Sequence, residues 1–145
     1  MKVEIEEGFD VTEVVIKCER ATDEIRRMKS YLLEGFGQKL SAVRDGVIRL
    51  IDKRDVFYFE SVDRRTFLYT EDDVYEVNLK LYEVENLLGT LGFFRNSKSQ
   101  VVNIAKIESL RPSFDGRLEL VMKNGEEVNV SRQYAKMLKE RLRLK

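Results

Sequence analysis

Short apolar stretches rich in β-branched and aromatic residues recur along the chain from residue 39 onward. They include "LSAVR", "VIRLI", "DVFYFES", "RTFLYT" and "RLELVMK". Turn dipeptides stand between several of them, among them Asp45-Gly46, Asp115-Gly116 and Asn124-Gly125. A repeat of about eight to ten residues with such turns is typical of antiparallel strands joined by hairpins. The pattern therefore predicts a mainly β domain over residues 39–145.

Two segments of this region have the apolar spacing of helices instead. Leu81, Val84 and Leu88 form one stripe, with Asn78 as a candidate N-cap. A second helix is predicted after Ser131, which is a natural N-cap. Its apolar side would be formed by four residues, namely Tyr134, Met137, Leu138 and Leu142.

Residues 1–38 have a different pattern of apolar and polar positions, which predicts a small α+β element. "KVEIE" (residues 2–6) and "TEVVIKCE" (residues 12–19) are strand-like by their β-branched content and rough alternation. Thr22 is a candidate cap for a helix that starts at Asp23, and Gly35 and Gly37 are candidate stops. We therefore expect a strand–strand–helix element before the main domain.

The composition excludes most catalytic and membrane-bound classes. Hydrophobic residues make up 43% of the 145 residues, which is enough for a packed core, but no apolar run is long enough to span a bilayer. The first ten residues, "MKVEIEEGFD", lack the apolar centre of a signal peptide. There is no histidine, one cysteine and no glycine-rich phosphate loop. We expect a cytoplasmic protein that is not an enzyme, does not insert into membranes and needs no cofactor or metal.

The charge is balanced overall but unevenly distributed. Residues 95–145 contain 12 Lys and Arg against 6 Asp and Glu, whereas residues 1–94 contain 14 against 20. Such polarity is what a localised anion-binding surface produces, although the zero net charge is unlike that of a strongly basic nucleic-acid binder.

Three polar segments are candidates for that surface. Their side chains suit phosphate oxygens or base edges, and a helix N-terminus adds a partial positive charge. The alternative is an ordinary solvated hairpin end, polar loop and helix face. The candidate residues are Arg64 and Arg65 in the first segment, Arg95, Asn96, Ser97, Lys98 and Ser99 in the second, and Ser131, Arg132, Gln133 and Lys136 in the third.

Four motifs, in this order along residues 40–145, resemble the LytTR family of bacterial DNA-binding domains. They are "RDVFYFES", "VYEVNLKLYEVENLL", "FFRNSKSQVVNIAKIESL" and "MKNGEEVNVSRQYAKMLKERL". The resemblance implies about ten short strands in three small antiparallel sheets with short helices. It also implies a transcription regulator whose loops, around Arg64 and Arg65, around Ser97 and Lys98, and at Arg132, contact successive major grooves of double-stranded DNA and bend it. The family commonly has a histidine where this chain has Ser97.

The resemblance also bears on assembly. The DNA sites of the family are commonly paired repeats, so we expect a homodimer. Two linked domains that each bind DNA weakly gain affinity, because the second binds at a high effective concentration. Residues 1–38 are too short for a receiver domain, and we interpret them as a dimerisation or regulatory element that could take a protein partner. The competing interpretation of the whole chain is a protein-interaction or ligand-sensing module that keeps the fold without binding DNA.

Overall fold

The computed structural model of the protein describes residues 1–36 and 39–143. This part of the chain contains three α-helices and ten β-strands. The helices are α1 (Asp23–Phe36), α2 (Leu81–Leu88) and α3 (Arg132–Arg141). The strands are β1 (Lys39–Arg44), β2 (Val47–Asp52), β3 (Tyr58–Val62), β4 (Arg65–Tyr69), β5 (Val74–Val77), β6 (Phe93–Ser97), β7 (Gln100–Asn103), β8 (Ile107–Pro112), β9 (Leu118–Met122) and β10 (Glu127–Val130).

The strands form two antiparallel sheets. Seven of them are arranged in the order β2-β1-β5-β4-β3-β7-β6, and the other three in the order β10-β9-β8. The predicted mainly β fold with about ten short strands is confirmed, but the predicted number of three sheets is wrong. The β1–β2 hairpin is not a separate sheet, because β1 joins β5 through the pairing of Val43 with Glu76.

Strands β3, β7 and β6, at one end of the seven-stranded sheet, are buried on both faces, which divides the core in two. Phe59, Phe93 and Val101 point to one side, where they pack with the buried side of α2. Their chain neighbours point to the other side, against the three-stranded sheet and α3, because successive side chains on a strand alternate between faces. This double burial explains why "FYF" in β3 lacks the polar positions of a half-exposed strand.

Helices α2 and α3 each cover one side of the seven-stranded sheet with a narrow stripe. Leu81, Val84 and Leu88 of α2 are buried, as predicted. The helix begins after Lys80 rather than Asn78, and the Lys80 N–H donates to Glu83 Oε1 at 3.0 Å.

In α3 the buried positions are Ala135 and Leu138, whereas Met137, predicted to face the core, is 48% exposed. The sequence pattern therefore overestimated the width of the apolar stripe on α3. Among the described residues, no helix has the length and apolar content needed to cross a membrane.

The N-terminal element differs most from its prediction. Residues 1–22 contain no strand, so the two predicted strands at 2–6 and 12–19 are wrong for the isolated chain. An extended segment needs a neighbouring strand to pair its main-chain groups, and none lies beside them. Helix α1 is confirmed, and its Ile25 N–H donates to Thr22 Oγ1 at 3.3 Å. The helix continues through Gly35, so the predicted stop there is wrong, and the predicted stop at Gly37 lies outside the described residues.

Candidate nucleic-acid interface

The β3–β4 hairpin presents Arg64 at its tip. Asp63 and Arg64 have φ angles of 50° and 66°, the left-handed pair that a two-residue type I′ turn requires. Glycine or asparagine usually fills such positions, because a side chain there is strained. Arg64 is exposed, and within the described residues its guanidinium makes no ion pair or hydrogen bond. The turn thus holds an unpaired cation in an unfavourable backbone conformation.

Arg65, the next residue, is held against the sheet. Its Nε donates to Glu76 Oε1 at 2.9 Å, its Nη2 donates to Glu76 Oε2 at 2.6 Å, and its guanidinium carbon lies 5.3 Å from the centre of the Phe67 ring. The hydrogen bonds from Arg65 lower the pKa of Glu76. Of the two predicted arginines, only Arg64 is left without a carboxylate partner.

Arg95 supports the turn between β6 and β7 from beneath. Its Nη1 donates to Glu85 Oε2 at 2.8 Å, and its Nε donates to the Ser97 carbonyl at 2.7 Å. Its Nη2 donates to the Lys98 carbonyl at 2.5 Å, and only 18% of its side chain is exposed. Arg95 therefore fixes the turn that carries Lys98.

The turn itself presents Lys98 and Ser99, which are both exposed. Ser97 is partly buried, and its Oγ accepts the Ser99 N–H at 3.2 Å. The Lys98 ammonium makes no ion pair within the part of the chain that the structure describes, so it is available to an anion.

Asn96 is fully buried and joins three elements. Its Nδ2 donates to Gln100 Oε1 at 2.7 Å and to the Asn129 carbonyl at 3.1 Å. Its own carbonyl accepts the Ser131 N–H at 3.1 Å. Asn96 thus connects β6 to β7, to the end of β10 and to the start of α3.

The N-terminus of α3 presents the third segment. Ser131 occupies the N-cap position, but its side chain makes no capping hydrogen bond. Its carbonyl accepts the N–H groups of Tyr134 and Ala135 at 3.0 and 2.9 Å. The exposed side chains that follow are those of Arg132, Gln133 and Lys136. Neither Arg132 nor Lys136 forms an ion pair with any described residue.

The strand register brings the three segments to one end of the molecule. Glu60 of β3 pairs with Gln100 of β7, and the Ser61 N–H donates to the Ser99 carbonyl at 2.8 Å, so the β3–β4 and β6–β7 turns are neighbours. The bond between Asn96 and Ser131 places the start of α3 beside the end of β6. Arg64, Lys98 and Arg132 therefore belong to one continuous end of the fold.

A fourth turn, which the sequence did not associate with the site, touches Arg132. A Cβ atom placed on Gly116, in the β8–β9 connection, would lie 3.3 Å from both Cγ and Cδ of Arg132. Gly116 has a φ of +88°, so the turn favours glycine for its conformation as well. Asp115-Gly116 signals a turn in the sequence, but nothing local to it indicates contact with a residue sixteen positions away.

Comparison with known proteins agrees with this architecture. The LytTr DNA-binding domain family profile matches residues 46–143. Among solved structures, the LytTr DNA-binding domain of a putative methyl-accepting/DNA response regulator from Bacillus cereus superposes with a TM-score of 0.69. It has 28% sequence identity, and the match covers 72% of this chain and 96% of that one.

Relatives of known sequence are similar over the same region. The sensory transduction protein LytT of Bacillus subtilis is 35% identical over 97 residues, which are 67% of this chain and 40% of LytT. The LytT protein of Enterococcus faecalis is 30% identical with the same coverage. The chain thus spans about two fifths of the length of these relatives.

A Staphylococcus aureus protein described as an uncharacterized HTH-type transcriptional regulator is 32% identical over 114 residues. The match covers 79% of this chain and 72% of that protein. The profile match extends over most of the chain and includes the β3–β4, β6–β7 and β10–α3 segments that meet at one end of the fold. This protein therefore belongs to the LytTR family of DNA-binding domains.

Proposed function

We propose that this protein is a sequence-specific transcription regulator that acts in the cytoplasm as a homodimer and contacts the major groove of double-stranded DNA through loops. The observation that carries the proposal is the meeting of Arg64, Lys98 and Arg132 at one end of the fold. All three are exposed, and none is paired with a carboxylate of the described residues. Cations left unpaired on one surface are what a polyanion requires.

The candidate residues divide into contacting and supporting groups. Arg64 and Arg132 have guanidinium groups suited to guanine or phosphate, and Lys98 and Lys136 suit phosphate. Ser99, Ser131 and Gln133 add hydroxyl and amide groups at the same end. Ser97 holds the turn of Lys98 and Ser99.

Three other candidates have intramolecular partners, and we assign them the task of positioning. Arg95 fixes the Lys98 turn, and Asn96 fixes the start of α3. Arg65 is bound to Glu76 and aligns the strand that follows Arg64.

The dimer proposal is supported by the N-terminal segment. Residues 1–22 are almost entirely exposed and include seven exposed large apolar side chains, which are those of Met1, Val3, Ile5, Phe9, Val11, Val14 and Val15. Their strand-like pattern lacks a partner strand in the isolated chain, and a second copy would supply one. Two copies of the DNA-contacting end would then engage paired sites.

The test begins with the selection of bound fragments from random DNA, followed by affinity measurements on the enriched sequence. Arg132→Ala is expected to lose about 1–3 kcal/mol of binding free energy and to relax sequence preference. Lys136→Ala is expected to weaken all sequences alike and to reduce the slope of log affinity against log salt by about one. Wild-type binding that does not change with salt would contradict the proposal.

Lys123→Ala is the matched control for these variants. Lys123 is exposed in the β9–β10 turn, at the opposite end of β9 from the turn that touches Arg132. Its removal is expected to leave both affinity and salt slope at their wild-type values. Equal losses for Lys123→Ala and Arg132→Ala would mean that the contact surface is elsewhere.

The zero net charge of the chain favours one other function, a protein-interaction or ligand-sensing module that has kept the fold. The same selection distinguishes the two, because such a module would enrich no DNA sequence.

A further inference from the structure

The β8–β9 connection, residues 113–117, is a closed and well-defined turn. The Ser113 N–H donates to the Arg117 carbonyl at 2.9 Å, and the Gly116 N–H donates to the Ser113 carbonyl at 3.2 Å. Asp115 Oδ1 accepts the Arg117 N–H at 3.2 Å. Three hydrogen bonds therefore hold a turn of five residues, so the residue at its tip projects from a fixed base.

That residue is Phe114, and its side chain lies wholly in solvent. Its relative exposure is 107%, whereas Phe57, Phe59, Phe93 and Phe94 are all buried. A ring that contacts nothing contributes no packing energy to the fold. The fold therefore makes no use of the Phe114 ring, which is free to contact another molecule.

The turn lies close to the stem of Arg132, which is central to the proposed DNA surface. The stem of Arg132 passes over Gly116, where a Cβ atom would be 3.3 Å from its Cγ and Cδ. Phe114 is two residues from that contact. The Phe114 turn would therefore be next to a DNA duplex that receives Arg132 in its groove.

We propose that residues 113–117 form a fourth DNA contact, in which the Phe114 ring packs on the C5-methyl group of a thymine next to the base pair contacted by Arg132. The thymine methyl is the apolar group that the major groove displays, and apolar side chains read it by contact. The inference rests on the proposed function, because it assumes that Arg132 faces DNA.

The test uses the full chain and the DNA sequence enriched from the random pool, with each thymine of the half-site replaced in turn by deoxyuridine, which lacks the methyl group. Phe114→Ala is expected to lower affinity roughly tenfold, as the loss of a buried aromatic contact would. One deoxyuridine substitution is expected to weaken the wild type severalfold and to leave Phe114→Ala unaffected. Thermal unfolding of Phe114→Ala should match that of the wild type, because the ring contacts nothing in the fold.

Ile48→Ala is the control for loss of an exposed apolar side chain. Ile48 is 70% exposed on β2, the edge strand farthest from β6 in the sheet, and its loss is expected to leave affinity unchanged. If Arg132→Ala weakens binding but Phe114→Ala does not, the fourth contact is wrong and the proposed function stands. If neither variant weakens binding, the proposed DNA surface itself fails.

A loss of affinity in Phe114→Ala with equal deoxyuridine effects in both proteins would overturn the thymine contact. Insertion of the Phe114 ring between base steps would instead bend the DNA. A bend that is lost in Phe114→Ala, with no effect of deoxyuridine on either protein, would therefore also overturn the thymine contact.

Discussion

The Ser131 N–H donates to the Asn96 carbonyl at 3.1 Å, and this single bond joins the end of β6 to the first turn of α3. Asn96 directly precedes the turn that presents Lys98, and Ser131 directly precedes Arg132. The two cations are therefore positioned by neighbouring backbone atoms, although more than thirty residues separate them in the chain. Any change that loosens Asn96 should act on both.

Asn96→Ala is expected to destabilise the protein by about 1–3 kcal/mol, because it leaves the Asn129 carbonyl and Gln100 Oε1 without their partner in a partly buried setting. Urea unfolding measures the loss, and DNA affinity should fall as well at temperatures where the variant is folded. Asn78→Ala, at an exposed position, is the control and should unfold as the wild type does. Equal stability of the two variants would show that Asn96 is not a structural junction.

Arg64→Gly should separate folding from binding. Glycine adopts a φ of 66° without strain, so the variant is expected to be as stable as the wild type or more stable, by up to about 1 kcal/mol. Its DNA affinity should nevertheless fall, because the cation at the hairpin tip is lost. Thermal unfolding and binding isotherms on the same preparation give both quantities.

Asp63→Gly is a close control for Arg64→Gly. It relieves the other left-handed position of the turn, at φ 50°, and removes no cation. It should gain stability and keep full affinity. If Arg64→Gly binds DNA with wild-type affinity, Arg64 does not belong to the contact surface.

The Arg65–Glu76 pair predicts an acid-dependent component of stability. Hydrogen bonds from Arg65 lower the pKa of Glu76 below its ordinary value of 4.5. A carboxyl group with a depressed folded-state pKa stabilises the protein fully above its unfolded pKa and loses that contribution as pH falls through the folded value. The melting temperature of the wild type should therefore exceed that of Glu76→Gln above pH 4.5, and the difference should vanish in stronger acid.

The size of this difference is limited by exposure. The pair lies at the surface, where solvent screens it, so the difference should be small. Glu71→Gln, at an exposed position without an ion pair to any described residue, should follow the wild-type profile at every pH. If the melting temperatures of Glu76→Gln and the wild type differ by the same amount down to low pH, the Arg65–Glu76 pair is not the source of the difference.

Local signals in the sequence predicted local structure well. Asp45-Gly46 and Asn124-Gly125 each lie in a short turn between strands that pair directly, because such dipeptides favour a hairpin. The pairings of β1 with β5 and of β3 with β7 carry no such signal. They connect strands distant in the chain, so the sequence pattern did not indicate the number of sheets, and the three sheets implied by the family resemblance were wrong.

Contacts between elements distant in the chain were likewise not predicted at the candidate site. The sequence singled out three segments that the fold brings to one end, at Arg64, Lys98 and Arg132. It did not distinguish Lys98 from Arg95, because the carboxylate that engages Arg95 comes from another element, at Glu85 of α2. Contact between Gly116 and Arg132 was invisible for the same reason.

Deletion of residues 2–22 tests the proposed dimer. These residues form no helix or strand in the isolated chain, so the remaining fold should melt at nearly the same temperature as the full chain. Sedimentation equilibrium should find the full chain as a dimer and the shortened chain as a monomer. The shortened protein should bind a single half-site with unchanged affinity, since the DNA-contacting end is intact.

On DNA with two half-sites, the full chain should bind at least ~100-fold more tightly than the shortened chain, because the second half-site is then engaged intramolecularly. Replacing Val14 and Val15 by Asp in the full chain should reproduce the effect of the deletion, since charged side chains cannot be buried in an apolar strand pairing. A shortened chain that still sediments as a dimer would place the interface outside residues 2–22, and the edge strand β2, with Val47, Ile48 and Leu50 exposed, would then be the first surface to alter.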